Sequence, residues 1–277
     1  MKKSKLRRMR LIIVLIVVVV SIIIYLLIPY SPVKMAYWNT VEKFTKEYQL
    51  SKNIITEDDL KELPDVLQKY FINNGYVGIK SASVVVFDFK NADFSMGINK
   101  PNVKIDYLVY DYVMEPTRVA FIDSKMYGIP FQGIDICKDG KGSMKGIIAK
   151  HIKLFETDFV FIDSSYLAEC LMHPSLALQD NITYKPIDDY SVEATIKKND
   201  AETTGIFYFN ENYEMISFEV DKRYCSDTNT YEKWSAITTD YKEINGINVP
   251  TKFQAIWHYD SGDLIYFDSN GMEISYQ

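Results

Sequence analysis

Histidine is the side chain best suited to acid–base chemistry near neutral pH, and the chain has three: His151, His173 and His258. None lies in a G-x-S-x-G, H-E-x-x-H, P-loop or G-x-G-x-x-G motif. Cys170 and His173 are three residues apart and could share a metal on one helix face, but no second pair completes four ligands. A buried thiol beside a helix-end imidazole is the simpler interpretation. We therefore predict no metal site, no cofactor and no catalytic residues.

Two charged residues, Glu169 and Arg223, are the next candidates. After residue 10 the only arginines are Arg118 and Arg223, against a strong lysine bias. If Glu169 and Arg223 both point inward, they could form an ion pair that fixes a helix on a sheet. Alternatively, they could lie at the mouth of a cavity and bind a lipid head group. Packing is the simpler interpretation, since a single Glu–Arg pair is common in protein cores.

Aromatic residues are abundant, at 14% of the chain. An alternating aromatic face could line a ligand cavity, although such a face is more often ordinary core. Phe207, Phe209 and Phe218 share this pattern with two of the tryptophans. The candidate ligand-binding residues are therefore Tyr166, Glu169, Arg223, Trp234 and Trp257.

Most of the chain after Gly78 alternates apolar and polar residues with a period of two, which is typical of strands. Asp139-Gly140 and Asn245-Gly246 are strong hairpin signals. One helix is predicted after Thr56, interrupted at Pro64, and a second over residues 164–172. No segment between the strands is long enough for repeated parallel crossovers. The pattern predicts a curved, mostly antiparallel, unclosed barrel of about ten strands packed on two helices, forming one α+β domain over residues 56–277.

The N-terminus predicts a membrane anchor. Residues 11–28 contain no charge and would span about 27 Å as a helix, close to the hydrocarbon core of a bilayer. Six basic residues precede this run, so residues 1–10 are expected in the cytoplasm, residues 11–30 across the cytoplasmic membrane, and the rest outside. The apolar run is too long for a signal peptide and no Ala-x-Ala site follows it. Residues 31–55 are predicted to be a juxtamembrane segment, with a helix around residues 40–50.

Charge and cysteine content restrict the partners. Of 31 basic residues, six lie in the tail, and the remaining 25 against 37 acids leave the outer part with a net charge of −12. Such a charge argues against a nucleic-acid partner and against attraction to anionic lipid head groups. Cys137, Cys170 and Cys225 show no CxxC or zinc spacing; one disulfide and one thiol are possible, and the sequence does not select the pair.

Four segments, in this order, resemble an uncharacterised family of bacterial membrane-associated domains: IDICKDGKGSMKG, SYLAECLMHPSLAL, GIFYFNENYEMISFEVDKRY and DYKEINGINVPTKFQAIWHY. The matching positions are Asp135, Gly140, Gly142, Met144, Glu169, Pro174, Arg223, Tyr224, Tyr241, Gly246, Pro250 and Trp257. The family's fold is similar to that of the LolA and LolB lipoprotein carriers. The resemblance therefore implies an unclosed antiparallel barrel wrapped over helices and enclosing an apolar cavity. It implies no activity, since none is established for the family.

The leading hypothesis is a membrane-tethered extracytoplasmic domain that binds a lipid, a lipoprotein or another amphiphile in the sheet concavity. One alternative is a non-enzymatic protein-interaction module of an envelope complex, which would use an exposed sheet face or edge. Another is a hydrolase, which no motif supports.

Overall fold

The computed structural model describes residues 2–48, 53–159 and 164–277. Its helices are α1 (Lys2–Leu27), α2 (Pro32–Glu47), α3 (Glu57–Leu60), α4 (Asp65–Asn73), α5 (Ser164–Glu169) and α6 (Pro174–Ala177), with a 3-10 turn at Cys170–Met172. Helix α1 is long and apolar enough to cross a membrane, and none of its apolar window is buried against the rest of the chain. Ser31 and Pro32 begin α2: the Ser31 hydroxyl accepts a hydrogen bond from the Lys34 amide, and Pro32 occupies the first turn.

Strands make up most of the remaining structure. They are β1 (Val84–Ser95), β2 (Asn102–Tyr112), β3 (Thr117–Met126), β4 (Ile129–Lys138), β5 (Lys141–Ile148), β6 (Ile152–Phe159), β7 (Ile182–Asp188), β8 (Ser191–Lys198), β9 (Ala201–Phe209), β10 (Met215–Cys225), β11 (Thr230–Ile244), β12 (Ile247–Tyr259), β13 (Gly262–Asp268) and β14 (Met272–Tyr276).

Within the described ranges, these 14 strands form one sheet with antiparallel pairing throughout. The order is β6-β5-β4-β3-β2-β1-β13-β12-β11-β10-β9-β8-β7, and β14 pairs with the first half of β1. The predicted curved antiparallel sheet is confirmed. The predicted number of about ten strands is too low, because β3, β6 and β7 carry weak sequence signals. Helical segments are also more numerous than the two predicted, although most of them are short.

Strand β3 shows why the count was too low. Its first six residues, from Thr117 to Ile122, are all buried, so both faces of the strand are covered. A strand covered on both faces has no apolar–polar alternation to detect. Strand β7 has the opposite problem, since Pro186 interrupts its sequence pattern and is tolerated there at a sheet edge.

The concave face of the sheet is filled by the chain itself. Helix α4 and the segment 164–178, which connects β6 to β7, lie against this face and form the larger apolar cluster with it. Their side chains include several that are 0% exposed: Leu67, Tyr70, Phe71, Leu167, Leu171 and Leu176. The Tyr70 hydroxyl donates a hydrogen bond to the Leu171 carbonyl at 3.0 Å, which joins the two helical pieces. Each such buried side chain contributes about 1.5–3 kcal/mol, so this filling is a large part of the fold's stability.

The opposite face of β2, β3 and β4 is covered by α2. Tyr37, Val41 and Phe44 of this helix are buried in a second apolar cluster with residues such as Val119 and Phe121. The rings of Tyr37 and Phe121 stack with their centroids 5.0 Å apart. The segment predicted to be juxtamembrane thus contains a helix that belongs to the folded body, and this helix starts earlier than the sequence suggested.

Candidate functional site

The five candidate ligand-binding residues fall into two groups. Arg223, Trp234 and Trp257 lie together, because β10, β11 and β12 are neighbours in the sheet. The Arg223 guanidinium lies 4.3 Å from the centre of the Trp234 ring and 5.4 Å from that of Trp257. Its Nη2 donates a hydrogen bond to the Ser165 hydroxyl at 3.4 Å, which places Arg223 beside the start of α5. A cation stacked on aromatic faces is held in one orientation and gains about 0.5–2 kcal/mol.

Arg223 also lines an open cleft of about 870 Å³ between β9 and β10. The two strands pair only from Ile206 to Phe209 against Met215 to Glu219. Beyond these pairs β9 continues with β8, while β10 continues with β11, so the strands separate and the cleft opens. Its volume is within the range of small-molecule sites.

The walls of this cleft are strongly charged. They carry Glu193, Asp200, Glu202, Glu219, Asp221, Lys222, Arg223 and Lys233. Part of this charge is paired, since Lys233 Nζ lies 2.6 Å from Glu219 Oε2. Apolar side chains such as Ile206 and Val220 line the same cleft. The cleft therefore suits a ligand that has both a charged group and an apolar part, and it differs from the purely apolar cavity that the resemblance implied.

The predicted pairing of Glu169 with Arg223 is wrong. Glu169 is held by the other arginine: Arg118 Nε donates to Glu169 Oε2 at 3.0 Å, and Nη2 donates to Oε1 at 3.2 Å. Both residues are only 3% exposed. Arg118 Nη1 also donates to the Tyr107 hydroxyl at 3.0 Å, and Nε lies 3.7 Å from a carboxylate oxygen of Asp111. This buried, two-point ion pair joins α5 to β3, and it matches the packing role rather than a head-group role.

Tyr166 likewise belongs to the packed core. Its hydroxyl donates to the Tyr112 carbonyl at 2.8 Å and accepts from the Gln179 side chain at 2.7 Å. Burial raises the pKa of Tyr166 well above its usual value, so the hydroxyl stays protonated. Neither Tyr166 nor Glu169 is among the residues lining the β9–β10 cleft. Of the five candidates, Arg223 is the one on the cleft wall, and the two tryptophans support it.

A constellation that the motif search missed lies on the other face of β11 and β12. The Ser235 hydroxyl is 2.8 Å from His258 Nε2, and His258 Nδ1 is 2.8 Å from Asp263 Oδ1. These contacts match the order and distances of a Ser-His-Asp triad. One sequence signal points to this arrangement, namely the Asn245-Gly246 turn, which sets a single register for β11 and β12. That register pairs Trp234 with Trp257 and places Ser235 diagonally next to His258.

Two requirements for a hydrolase are nevertheless unmet at this triad. Ser235 is only 2% exposed, so a substrate carbonyl cannot reach its oxygen in this conformation. It is also in register with Glu219 on one side and Ile256 on the other, in the middle of the sheet. Backbone amides in such a ladder are already bonded and do not form an oxyanion hole. The three side chains are better explained as a hydrogen-bonded network that ties β11, β12 and β13 together.

The three cysteines and His173 are buried. Cys137, Cys170 and Cys225 are buried thiols. Burial raises the pKa of Cys170 to about 12, and its sulfur lies 3.7 Å from the Tyr184 hydroxyl. His173 Nδ1 accepts a hydrogen bond from the Ser175 amide at 3.0 Å and so begins α6. Over the part of the chain that the structure describes, no group of three or more His, Cys, Asp or Glu residues is arranged to hold a metal ion.

The fold and cleft define a domain built on one curved antiparallel sheet whose concave face is filled by helices. Comparison with known families places it: residues 53–269 match the family of unknown function DUF6544, and the chain belongs to that family. The expected family resemblance is thereby confirmed. Among solved structures, the chain is similar to a LolA superfamily protein from Nitrosomonas europaea, with 10% identity, a TM-score of 0.39, and coverage of 76% of this chain and 90% of that one. A comparison with curated proteins gave no match.

Proposed function

We propose that this chain is a membrane-tethered binding protein whose β9–β10 cleft takes an amphiphile with an anionic head group. The observation that supports it best is Arg223, stacked on Trp234 and Trp257 at the wall of the cleft. Its positive charge would attract a carboxylate or phosphate group to this part of the cleft. The acidic side chains elsewhere on the cleft wall would repel an anionic head group at every position except beside Arg223. The ligand would therefore bind in one orientation, with its head group at Arg223.

The anchor completes this proposal. Residues 11–30 would span the cytoplasmic membrane, with residues 1–10 inside and the C-terminal domain outside, as the six basic residues before Leu11 indicate. Helix α1 supports the span by its length and apolar character. A tethered domain meets amphiphiles at the membrane surface at high local concentration, so even a weak site would be occupied.

The filled concavity changes where the apolar part of the ligand would lie. Leu171 and Met172, in the segment 164–178 that connects β6 to β7, are 0% exposed. They pack against the sheet, so an acyl chain does not fit beneath them in this conformation. Ile206, which is partly exposed, instead offers apolar contact inside the cleft itself. Each methylene buried there would contribute about 0.8 kcal/mol.

The alternative, an interaction module that adds a partner strand to a sheet edge, is less favoured. Among the described residues, β6 and β7 end the main path of the sheet, and β14 pairs with β1 alone. β7 carries Lys185 and Pro186, and β6 carries Lys153 and Glu156. Proline and charge on an edge strand are features that oppose strand addition.

Photo-crosslinking tests the binding site directly. The full chain would be reconstituted into lipid nanodiscs containing a fatty acid with a photoreactive group, and the modified peptides would be mapped by mass spectrometry. We expect crosslinks on β9 and β10, reduced in Arg223→Gln and partly retained in Arg223→Lys. Lys222→Gln, which removes a neighbouring cleft cation, is the matched control and should leave them unchanged. Crosslinks confined to residues 11–30 would contradict the proposal.

A further inference from the structure

The turn between β5 and β6 holds the C-terminal end of α1. Lys150 Nζ donates hydrogen bonds to the carbonyls of Tyr25, at 2.6 Å, and Ile28, at 2.8 Å. Its side chain is almost fully buried, and it also lies over the Tyr25 ring. His151 stacks on the same ring, with Nε2 at 2.5 Å from the Tyr25 hydroxyl. A lysine that caps the last carbonyls of a helix is favoured by the helix dipole.

These contacts fix the height of the turn relative to the membrane. Tyr25 and Ile28 belong to the uncharged run of residues 11–28, whose length matches the hydrocarbon core. The end of this run must lie at the boundary between hydrocarbon and head groups. Since Lys150 is bonded to the last turn of the run, the β5–β6 turn lies at that boundary too.

The residues that follow α1 are held to the sheet by direct contacts, so the folded domain cannot move away from the end of α1. Residue Ser31, three residues after Ile28, is hydrogen-bonded to Gln132 on β4, and Lys34 Nζ lies 3.8 Å from an Asp123 carboxylate oxygen on β3. Helix α2 then packs on the sheet over its whole length. The ends of β3, β4, β5 and β6 nearest the anchor are therefore held against the lipid surface.

Large apolar side chains are exposed at this same end of the sheet. The turn between β3 and β4 lies beside the β5–β6 turn, because the Ala149 amide donates to the Pro130 carbonyl at 2.8 Å. The exposed side chains are Tyr127 (93% exposed), Ile129 (39%), Ile152 (59%) and Leu154 (48%). Tyrosine and aliphatic side chains clustered next to a membrane span are characteristic of an interfacial surface. Lys125, also exposed beside this turn, suits the phosphate layer.

We propose that the turns β3–β4 and β5–β6 form a second membrane-contacting surface, which inserts Tyr127, Ile129, Ile152 and Leu154 into the bilayer that the anchor spans. This inference rests on the anchor in the proposed function. It goes further, because it makes the lipid surface a partner of the folded domain and sets the domain's orientation on the membrane. The occupant is the lipid interface itself, since the anchor brings these turns to that depth by direct bonds.

Site-specific fluorescence labelling tests this surface in the full chain. Tyr127→Cys and Ile152→Cys variants would be labelled with an environment-sensitive dye and reconstituted into nanodiscs, with and without quencher-carrying lipids. The native thiols are buried, and the unsubstituted chain measures their background labelling. Lys141→Cys is the matched control: it lies at the other end of β5, about 20 Å from the turn. Ile16→Cys, in the middle of the apolar run, reports whether the anchor is inserted.

We expect blue-shifted emission and strong quenching at positions 16, 127 and 152, and water-like emission with little quenching at 141. A water-like signal at 127 and 152 with a buried signal at 16 would overturn the second surface while leaving the anchor intact. A water-like signal at 16 would refute the anchor, and the second surface with it. Equal quenching at 141 and 127 would also refute the proposal, since the domain would then have no fixed orientation.

Discussion

Replacing Arg118 by methionine should be the most destabilising single change to a charged residue in the folded domain. Arg118 is 3% exposed and donates two hydrogen bonds to Glu169 and one to Tyr107. Methionine fills a similar volume but leaves the carboxylates of Glu169 and Asp111 buried without their cation. Breaking a buried ion pair from one side costs about 3–5 kcal/mol, most of it from the stranded charge. We expect Arg118→Met to lose about this much of the free energy of unfolding.

Arg223→Met is the control, because it removes the only other arginine of the folded domain. Arg223 is partly exposed and is held by stacking on Trp234 and Trp257. Loss of that stacking should cost about 1 kcal/mol. The assay is thermal unfolding of the full chain in detergent micelles, followed by near-ultraviolet circular dichroism. The two variants remove the same chemical group, so the difference between them reports burial and pairing.

The pH dependence of stability distinguishes the effect of an unpaired buried carboxylate from that of a packing defect. Without Arg118, the buried carboxyl groups are more stable when protonated, so Arg118→Met should recover part of its stability as the pH falls. Arg118→Met combined with Glu169→Gln should recover part of it at neutral pH. A loss below about 1 kcal/mol for Arg118→Met, or a loss that is independent of both pH and Glu169, would refute the stranded-charge account.

Three further outcomes are expected. Burial lowers the pKa of His173 to about 4. In acid the unfolded chain therefore binds a proton that the folded chain does not, so the free energy of unfolding should fall by on the order of 3 kcal/mol as the pH drops from 6.5 to 4. His173→Asn keeps a cap acceptor for α6 and should flatten this pH dependence in thermal unfolding. Gly75 and Gly246 have nearly equal positive φ angles, +81° and +83°, but a Cβ added at position 75 would meet the Gly246 carbonyl, whereas one added at position 246 would meet no atom. Gly246→Ala should therefore cost about 1 kcal/mol from backbone strain alone. Gly75→Ala should lower the melting temperature clearly more, because it adds a steric clash to the same strain. Ser235 should not react with a fluorophosphonate probe in intact protein, and labelling there would reopen the hydrolase hypothesis.

Local signals in the sequence predicted the sheet where its two faces differ. Asp139-Gly140 and Asn245-Gly246 both form the predicted hairpin turns, with positive φ at all four residues. The second turn even predicts the pairing of Trp234 with Trp257, since the β11–β12 register runs without a shift from this turn. The interruption of the first helix at Pro64 is also observed, between α3 and α4.

The error at Glu169 follows from the error at β3. Because Thr117 to Ile122 are buried on both faces, the segment shows no alternation and was not predicted as a strand. Arg118 therefore has no predicted position near α5, whereas Arg223 lies on a strand with a clear alternating pattern. What buries the second face of β3 is α2, a helix more than 70 residues earlier in the chain. No local pattern encodes that contact, so the buried ion pair could not be predicted from the sequence alone.

The same contacts connect the proposed membrane anchor to the proposed binding cleft. Lys150 and Ser31 hold the end of α1 against β4 and the β5–β6 turn, and α2 then covers β3. Strand β3 carries Arg118, which is bonded to Glu169 at the end of α5. The first turn of α5 presents the Ser165 hydroxyl to Arg223 at the cleft wall. Each link is a packed helix, a strand or a bonded side chain, and none is a flexible linker. If α1 spans a membrane as proposed, these contacts would hold the cleft at a fixed height and orientation above it, which a binding protein needs if its ligand arrives from, or returns to, that same lipid surface.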